Sequence, residues 1–306
     1  METRVLTVML ALLVMGGNAA ADDAPRTSAD MGLPQFHTTG GGDWHTAENW
    51  FEESTGESRV PGEYDIAYFG YRMTPEPAVV TFSDDAIANR IKVEGDRAPQ
   101  PLTLELNGHT LTLNAQCEIK SPLIVVNGTI TNTNRYIIDG GSLTIGSDAT
   151  MTATGGIDMV TLKDGGLLEI AGGRLRQNTG LRDVRAEAGT TIHFTGEGGS
   201  IHGRHAELQP DATLRYTLAN DGYREAPFVV AGIRSLGTLE LAVAEDYEHN
   251  PGERFVLIAY GDAGRAVDGV EQTFTDLPEG AVLAVNGHQF QLSYVDRGVI
   301  AVTAQE

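Results

Sequence analysis

Short runs of alternating apolar and polar residues, broken by glycine turns, are the feature that most constrains the fold of this chain. Between about Ile87 and Val243 such runs follow one another closely; in residues 102–106, leucines alternate with threonine and glutamate. A period of two is that of a β-strand with one buried face. No window has the sustained period of a helix, so the pattern predicts an all-β fold.

A short phrase, glycine followed by a small polar residue and an aliphatic one, recurs at irregular spacing in the same region. Its copies are Gly128-Thr129-Ile130, Gly141-Ser142-Leu143, Gly199-Ser200-Ile201 and Gly237-Thr238-Leu239. Repeats of this kind predict a solenoid, in which each coil covers the aliphatic row of its neighbour. A β-sandwich is the competing prediction, because residues 102–113 around Asn107-Gly108 also fit a tight hairpin.

The two ends of the chain differ from its middle. Both tryptophans lie within residues 36–82, and residues 252–303 alternate around Asn286-Gly287 and a second turn at 296–298, which predicts an antiparallel meander. A solenoid needs covers because its end coils are open strand edges. The segments predicted in this way are an N-terminal cap segment bearing the tryptophans (22–85), a β-helix (86–250) and a C-terminal cover of antiparallel strands (251–306).

The first 21 residues predict a signal peptide. A charged start precedes an apolar run from Val5 to Met15, and Ala19 and Ala21 form an A-x-A cleavage site. The run is too short to span a bilayer. We therefore expect cleavage near Ala21 and a mature protein that is secreted to the extracellular space or the periplasm.

Charge and cysteine usage exclude several classes of protein. The net charge is −21 with one cysteine among 306 residues, which argues against a nucleic-acid partner and a disulfide scaffold. No later stretch is long and apolar enough for a transmembrane helix in the mature protein. The acidic excess indicates a well-hydrated surface. Cys117 alternates in phase with Leu111 and Leu113, so it is predicted to be a small buried hydrophobic residue.

Three passages of the chain carry a family resemblance. They are the Trp44…Asn49-Trp50 segment with the Pro-Gly-Glu-Tyr-Asp-Ile-Ala-Tyr-Phe run at 61–69, the alternating run at 104–113, and residues 274–294. These passages resemble the opening, first coil and closing strands of secreted bacterial β-helix proteins, including autotransporter passengers and proteins with autotransporter-associated β-strands. The resemblance implies a right-handed parallel β-helix and extracellular placement. It implies no one reaction.

Residues 174–215 stand out by charge. They carry a net charge of +1, whereas the rest of the chain carries −22, and they hold three of the eight histidines. If the apolar residues of each strand point inward, their neighbours point outward. The predicted outward set is Arg174, Arg176, Asp183, Arg185, His193, His202 and Arg215.

Stacked on successive coils, these side chains would form one cationic ridge able to bind an acidic polysaccharide. Arginine offers paired donors that fit a carboxylate or a sulfate. The predicted ligand-binding residues are Arg174, Arg176, Arg185, His193, His202 and Arg215. The alternative is that the arginines form ordinary solvated ion pairs with Asp183 and with glutamates 187, 197 and 207, which contribute little.

Trp44 and Trp50 complete the predicted ligand-binding set, because an exposed indole face can stack on a sugar ring. The alternative is that both cap the solenoid, with Asn49 bonding the local backbone. His45 and Glu48 are two potential zinc ligands without a third at a recognised spacing. We predict no metal site and no cofactor.

The predicted function is that of a secreted structural or adhesive β-helix protein that binds acidic polysaccharide. The alternative is a polysaccharide lyase or glycoside hydrolase on the same scaffold, and a third hypothesis is an inert spacer. Enzyme motifs are absent: no Gly-x-Ser-x-Gly or phosphate loop occurs, and His202-Gly203-Arg204 lacks the leading glycine of a polygalacturonase-like Gly-His-Gly. The sequence therefore favours binding over catalysis.

Processing of the N-terminus is directly testable. When the full-length chain is expressed with export machinery, we expect the exported protein to begin at Asp22, because the A-x-A site ends at Ala21. Intact mass and N-terminal sequencing measure this. An exported chain that retains Met1 would contradict the prediction.

Overall fold

The computed structural model describes a β-solenoid between Leu33 and Glu306. The predicted signal peptide, residues 1–21, lies outside the described residues. The described part is residues 32–306 without 39, 53, 71–76, 95–100, 156–157, 178–182, 197, 221–222, 224, 261–272 and 297–298.

The described residues form 26 strands and one short 3-10 helix at Ala47–Asn49. The first thirteen strands are β1 (Gln35–Thr38), β2 (Gly42–Asp43), β3 (Trp50–Glu52), β4 (Ile66–Phe69), β5 (Ala78–Thr81), β6 (Ala86–Ala88), β7 (Arg90–Val93), β8 (Leu102–Glu105), β9 (Thr110–Leu113), β10 (Cys117–Ile119), β11 (Leu123–Val126), β12 (Gly128–Asn132) and β13 (Tyr136–Asp139). The remaining strands are β14 (Ser142–Ile145), β15 (Ala149–Ala153), β16 (Asp158–Lys163), β17 (Leu167–Ile170), β18 (Arg174–Gln177), β19 (Asp183–Ala186), β20 (Thr191–Phe194), β21 (Ser200–Leu218), β22 (Phe228–Val243), β23 (Arg254–Tyr260), β24 (Val282–Val285), β25 (His288–Asp296) and β26 (Val299–Ala304).

Parallel pairing sorts these strands into three sheets, one strand of each sheet per turn of the solenoid. Sheet 1 contains β1, β4, β7, β10, β13, β16 and β19. Sheet 2 contains β2, β5, β8, β11, β14, β17 and β20. Sheet 3 contains β6, β9, β12, β15, β18 and β23. The long strands β21 and β22 pass through sheets 3, 1 and 2 in turn.

The interior is filled by columns of apolar side chains, one from each turn. In sheet 2, Val125, Ile145, Ile170, Phe194 and Tyr216 are in register and fully buried. The rings of Phe194 and Tyr216 stack with their centroids 5.0 Å apart. Because side chains alternate along a strand, the aliphatic residues of the repeated phrase face this core. The predicted all-β solenoid is confirmed, although its right-handed sense remains a prediction.

Two Asn-Gly turns have the same backbone conformation, but one joins two strands that pair with each other and the other joins strands of two different sheets. Asn107 and Gly108 have φ of 51° and 86°, and Asn286 and Gly287 have φ of 50° and 87°. The second pair closes the antiparallel hairpin of β24 and β25, as predicted. The first pair carries the chain from β8 in sheet 2 to β9 in sheet 3, and these strands pair with other turns. Residues 102–113 therefore do not form the tight hairpin that a β-sandwich would contain.

The ends contain antiparallel strands. At the start β3 pairs antiparallel with β1, and near the end β26 pairs antiparallel with both β23 and β25. Parallel pairing begins between β1 and β4, so strands β1, β2, β4 and β5 are already part of the solenoid. In the described part of the chain, no helix has the length and apolar character that a membrane crossing requires.

Close packing of adjacent turns makes Gly155 intolerant of a side chain. A Cβ there would lie 1.8 Å from the carbonyl oxygen of Thr133. We expect Gly155→Ala to lower the free energy of unfolding by about 1–3 kcal/mol, because the backbone must shift. Chemical denaturation measures it. Gly40→Ala is the matched control, since its Cβ would meet no atom within 4 Å; equal losses in both variants would contradict this account.

Candidate functional site

An open cleft of about 970 Å³ lies against sheet 3. Arg174 and Arg176 project into its lining from β18, and His202 joins them from the next turn, on β21. Arg176 and His202 are register partners, so their backbones are separated by one strand spacing of about 4.8 Å. Glu225 and Val229 also line the cleft. Three of the predicted ligand-binding residues therefore share one site.

The two arginines of the cleft are exposed, and among the residues that the structure describes neither of them forms an ion pair with a carboxylate. All three lysines of the chain are paired, Lys92 and Lys120 with Glu94 at 2.9 and 3.3 Å and Lys163 with Asp139 at 3.1 Å. In a chain of net charge −21, two neighbouring arginines that form no ion pair with a described residue, although Glu225 lines the same cleft, leave their donors available to an anion.

The cleft keeps its histidine neutral. Partial burial lowers the pKa of His202 below the ordinary value, and the charges of Arg176 and Arg174 lower it further. Burial disfavours the imidazolium, and two neighbouring cations repel it. At neutral pH His202 therefore offers one donor and one acceptor beside two permanent cations.

His193 and Arg215, two further predicted ligand-binding residues, lie on sheet 2 and are already paired. His193 Nδ1 lies 3.3 Å from Glu169, and its Nε2 lies 3.0 Å from the Thr217 hydroxyl. Arg215 lies 3.3 Å from Glu240 on the following turn. Glu169, His193, Arg215 and Glu240 thus form one column in which two basic side chains lie between two carboxylates. Arg215 therefore forms an ordinary solvated pair, although its partner is not one of the predicted carboxylates.

Arg185 lies on sheet 1, within a network of ion pairs. Its Nε lies 3.2 Å from Asp158, and its Nη2 lies 3.3 Å from Glu207. Arg234 in turn contacts Glu207 at 3.0 Å and Asp183 at 2.8 Å. Burial raises the pKa of Asp158, although Arg185 and Arg135 act in the opposite direction. The guanidinium of Arg185 is therefore already bound by carboxylates of the protein.

The prediction of one cationic ridge is wrong. The predicted residues are divided among the three sheets: Arg174, Arg176 and His202 on sheet 3, Arg185 on sheet 1, and His193 and Arg215 on sheet 2. Alternation identifies which side chains point away from the core, but the corners of the solenoid decide which surface each of them reaches.

The assignment of Trp44 and Trp50 to ligand binding is also corrected. Their side chains are 0% and 1% exposed, so neither presents a face to a sugar. They pack edge to face with centroids 4.7 Å apart, and Trp44 stacks on Phe82. Trp50 Nε1 donates to the carbonyl oxygen of Trp44, and Asn49 Nδ2 donates to that of Asp43. The alternative, apolar packing with Asn49 bonded to the backbone, is the one observed.

Asp183, predicted to face solvent, is 1% exposed. His205 Nδ1 lies 3.1 Å from it, and Arg234 contacts its other oxygen. Asp183 lies at an outward-facing position of its strand, as predicted, but the side chains of His205 and Arg234 cover its carboxylate. Arg234 was missed because it follows the region of unusual charge and enters the network at a β-bulge.

Cys117 is fully buried, as predicted, and burial raises the pKa of its thiol to about 12. A thiol held protonated in this way is a poor nucleophile. Within the described ranges, no three side chains of the His, Cys, Asp or Glu type form a group that could hold a metal ion.

Comparison of the chain with known proteins finds no matching family model, curated protein or solved structure.

The acidity of His202 tests the electrostatics of the cleft. We expect its imidazole to titrate below about 6.5, the ordinary histidine pKa, and Arg176→Gln to raise that pKa by removing a repelling cation. Histidine NMR signals measured against pH report it, with His202→Gln assigning the resonance. The matched control is Arg215→Gln on sheet 2. A His202 pKa unaffected by Arg176→Gln would contradict the assignment.

Proposed function

We propose that this protein is a secreted, non-catalytic β-solenoid that binds an acidic polysaccharide through the cleft of Arg174, Arg176 and His202. The observation that carries the proposal is a pair of exposed arginines that form no ion pair within the described part of the chain, placed in a cleft of about 970 Å³. Arginine forms paired hydrogen bonds with carboxylates and sulfates, which are the charged groups of acidic glycans.

The lining of the cleft suits a sugar polymer. Val229, Val256 and Ala259 supply apolar surface beside the arginines, and Ser200 and His202 supply polar groups. A sugar ring presents both C–H groups and hydroxyls, so a mixed lining can contact both. The open form of the cleft also allows a polymer to extend beyond it along the solenoid.

The charge of the remaining surface acts against non-specific adhesion. Most of the protein repels anionic polymers, because its net charge is −21. Binding therefore depends on local donors in the cleft, and salt weakens it by screening the contact between arginine and anion. Export, which the N-terminal signal sequence favours, would bring the cleft to extracellular polysaccharide.

A polysaccharide lyase is the second candidate, and neutral His202 is the observation that favours it. Beside Arg176, a neutral imidazole could remove the proton α to a uronate carboxylate whose charge the arginine stabilises. The electron pair would form a C=C bond as the C–O bond to the leaving sugar breaks, and that oxygen would take a proton. The product would carry an unsaturated sugar end.

The discriminating experiment mixes the purified mature chain with polyuronate, sulfated and neutral polysaccharides. Co-sedimentation measures binding, and ultraviolet absorbance measures unsaturated ends. We expect salt-sensitive binding to one or more anionic polymers, stronger at acidic pH because protonation of His202 adds a positive charge, and no increase in absorbance. Arg174→Gln combined with Arg176→Gln should abolish binding.

Arg215→Gln is the matched control, because it removes one arginine from sheet 2 without touching the cleft. Equal loss of binding in both variants would show that overall charge, and not the cleft, is responsible. A rising absorbance would replace the proposal with the lyase. No binding to any polymer would overturn both candidates in favour of a spacer.

A further inference from the structure

We propose that the outward face of sheet 3 carries an ice-binding surface made of six threonines. They belong to three consecutive strands, β9, β12 and β15, each with the pattern threonine, apolar residue, threonine. The six residues are Thr110, Thr112, Thr129, Thr131, Thr150 and Thr152, and they are called the threonine array here.

Register pairing places the array in two straight columns. Thr110, Thr129 and Thr150 pair across the three strands, and so do the three threonines two positions further on. The residues between them, Leu111, Ile130 and Met151, are fully buried, so the threonines point away from the core. Neighbouring members are about 4.8 Å apart across strands and about 6.6 Å apart along a strand.

The hydroxyls of the array make no hydrogen bond to any residue that the structure describes. Thr152 is the clearest case, because its side chain is 7% exposed and its Oγ1 is buried without a partner. A buried polar atom of this kind costs stability unless water or a ligand satisfies it. The array is therefore a regular set of unused donors and acceptors.

The outward positions of the other two sheets do not carry threonine in this regular way. At the three corresponding turns of sheet 2, one outward column reads Thr103, Ile124 and Thr144, and the other begins with Glu105 and Val126. The outward positions of sheet 1 include Lys92 and Glu118. The strand propensity of threonine accounts for single threonines, but it does not account for the same residue at all six positions of one face.

A rigid, regular and uncharged surface is what adsorption to ice requires. Ice is a lattice of hydrogen-bonded oxygens with fixed repeats, so a surface binds it only if its own repeat holds ordered water at matching positions. The backbone ladders fix the distances between strands, and the β-branched side chain of threonine restricts its χ1 angle. Five of the six threonines are partly exposed and reach that water, whereas Thr152 lies deeper, at 7% exposure.

The array is flanked by different chemistry at its two ends. Ile87, 39% exposed, continues one column on β6, and Arg174 and Arg176 continue both columns on β18. Three strands form a small surface, so we expect weak adsorption, seen as ice enrichment and slower recrystallisation, and not a large depression of the freezing point. This activity does not rest on the proposed polysaccharide binding.

The test is partition of the purified mature chain into slowly growing ice. We expect enrichment in the ice fraction and inhibition of recrystallisation in frozen thin films. Thr131→Glu places a charge at the centre of the array and should reduce enrichment several-fold, and Thr150→Glu is a second array variant should the first fail to fold. Thermal unfolding verifies that each variant is folded.

Thr103→Glu on sheet 2 is the matched control and should keep the enrichment of the unmodified chain. Arg176→Gln should also keep it, which separates this site from the cleft. Exclusion of the unmodified chain from ice, at the level of an unrelated acidic protein, would overturn the proposal. Equal loss in the array variants and in Thr103→Glu would overturn it as well.

Discussion

The structure depends on the backbone hydrogen bonds between successive turns of the solenoid. Each strand of a sheet pairs in parallel with the strand one turn earlier and one turn later, so the spacing between turns is fixed by backbone geometry. A side chain added where two turns approach most closely, as at Gly155, meets a carbonyl oxygen directly. The same spacing places the side chains of successive turns above one another, so both the buried and the outward side chains form regular columns.

Stacking on this spacing makes each outward column a set of near neighbours, and the chain uses the columns in different ways. On sheet 2, His193 lies beside Glu169 and Arg215 lies beside Glu240, so each basic side chain has a carboxylate on the neighbouring strand. On sheet 3 the column passes from threonines to Arg176 and then His202 without a carboxylate. Arg174 and Arg176, two positions apart on β18, repel one another, which is the physical reason that an anionic ligand would be favoured there.

Part of the site could be predicted from the sequence and part could not. Inward positions such as Leu175, Ile192 and Ile201 follow from alternation and are buried. Arg174 and Arg176 were found by their charge and are exposed in the cleft. The tryptophans were assigned to ligand binding on residue type alone, which does not show whether the indole is covered. The threonine array gives no signal of charge or rarity, and its regularity becomes visible only when the strands are in register.

The sequence by itself determined that the chain is all-β and which residue of each strand faces the core, and it favoured a solenoid over a sandwich. These are local properties, since the period of two and the glycine turns are written in neighbouring residues. Only the tertiary structure decided which outward side chains meet. Arg176 and His202 lie 26 positions apart in the sequence and one strand apart in space, whereas Arg176 and Arg185 are close in the sequence and lie on different sheets. The reason is that the register between turns depends on where each corner of the solenoid lies and on how many residues form it. The alternation of apolar and polar residues fixes neither of these.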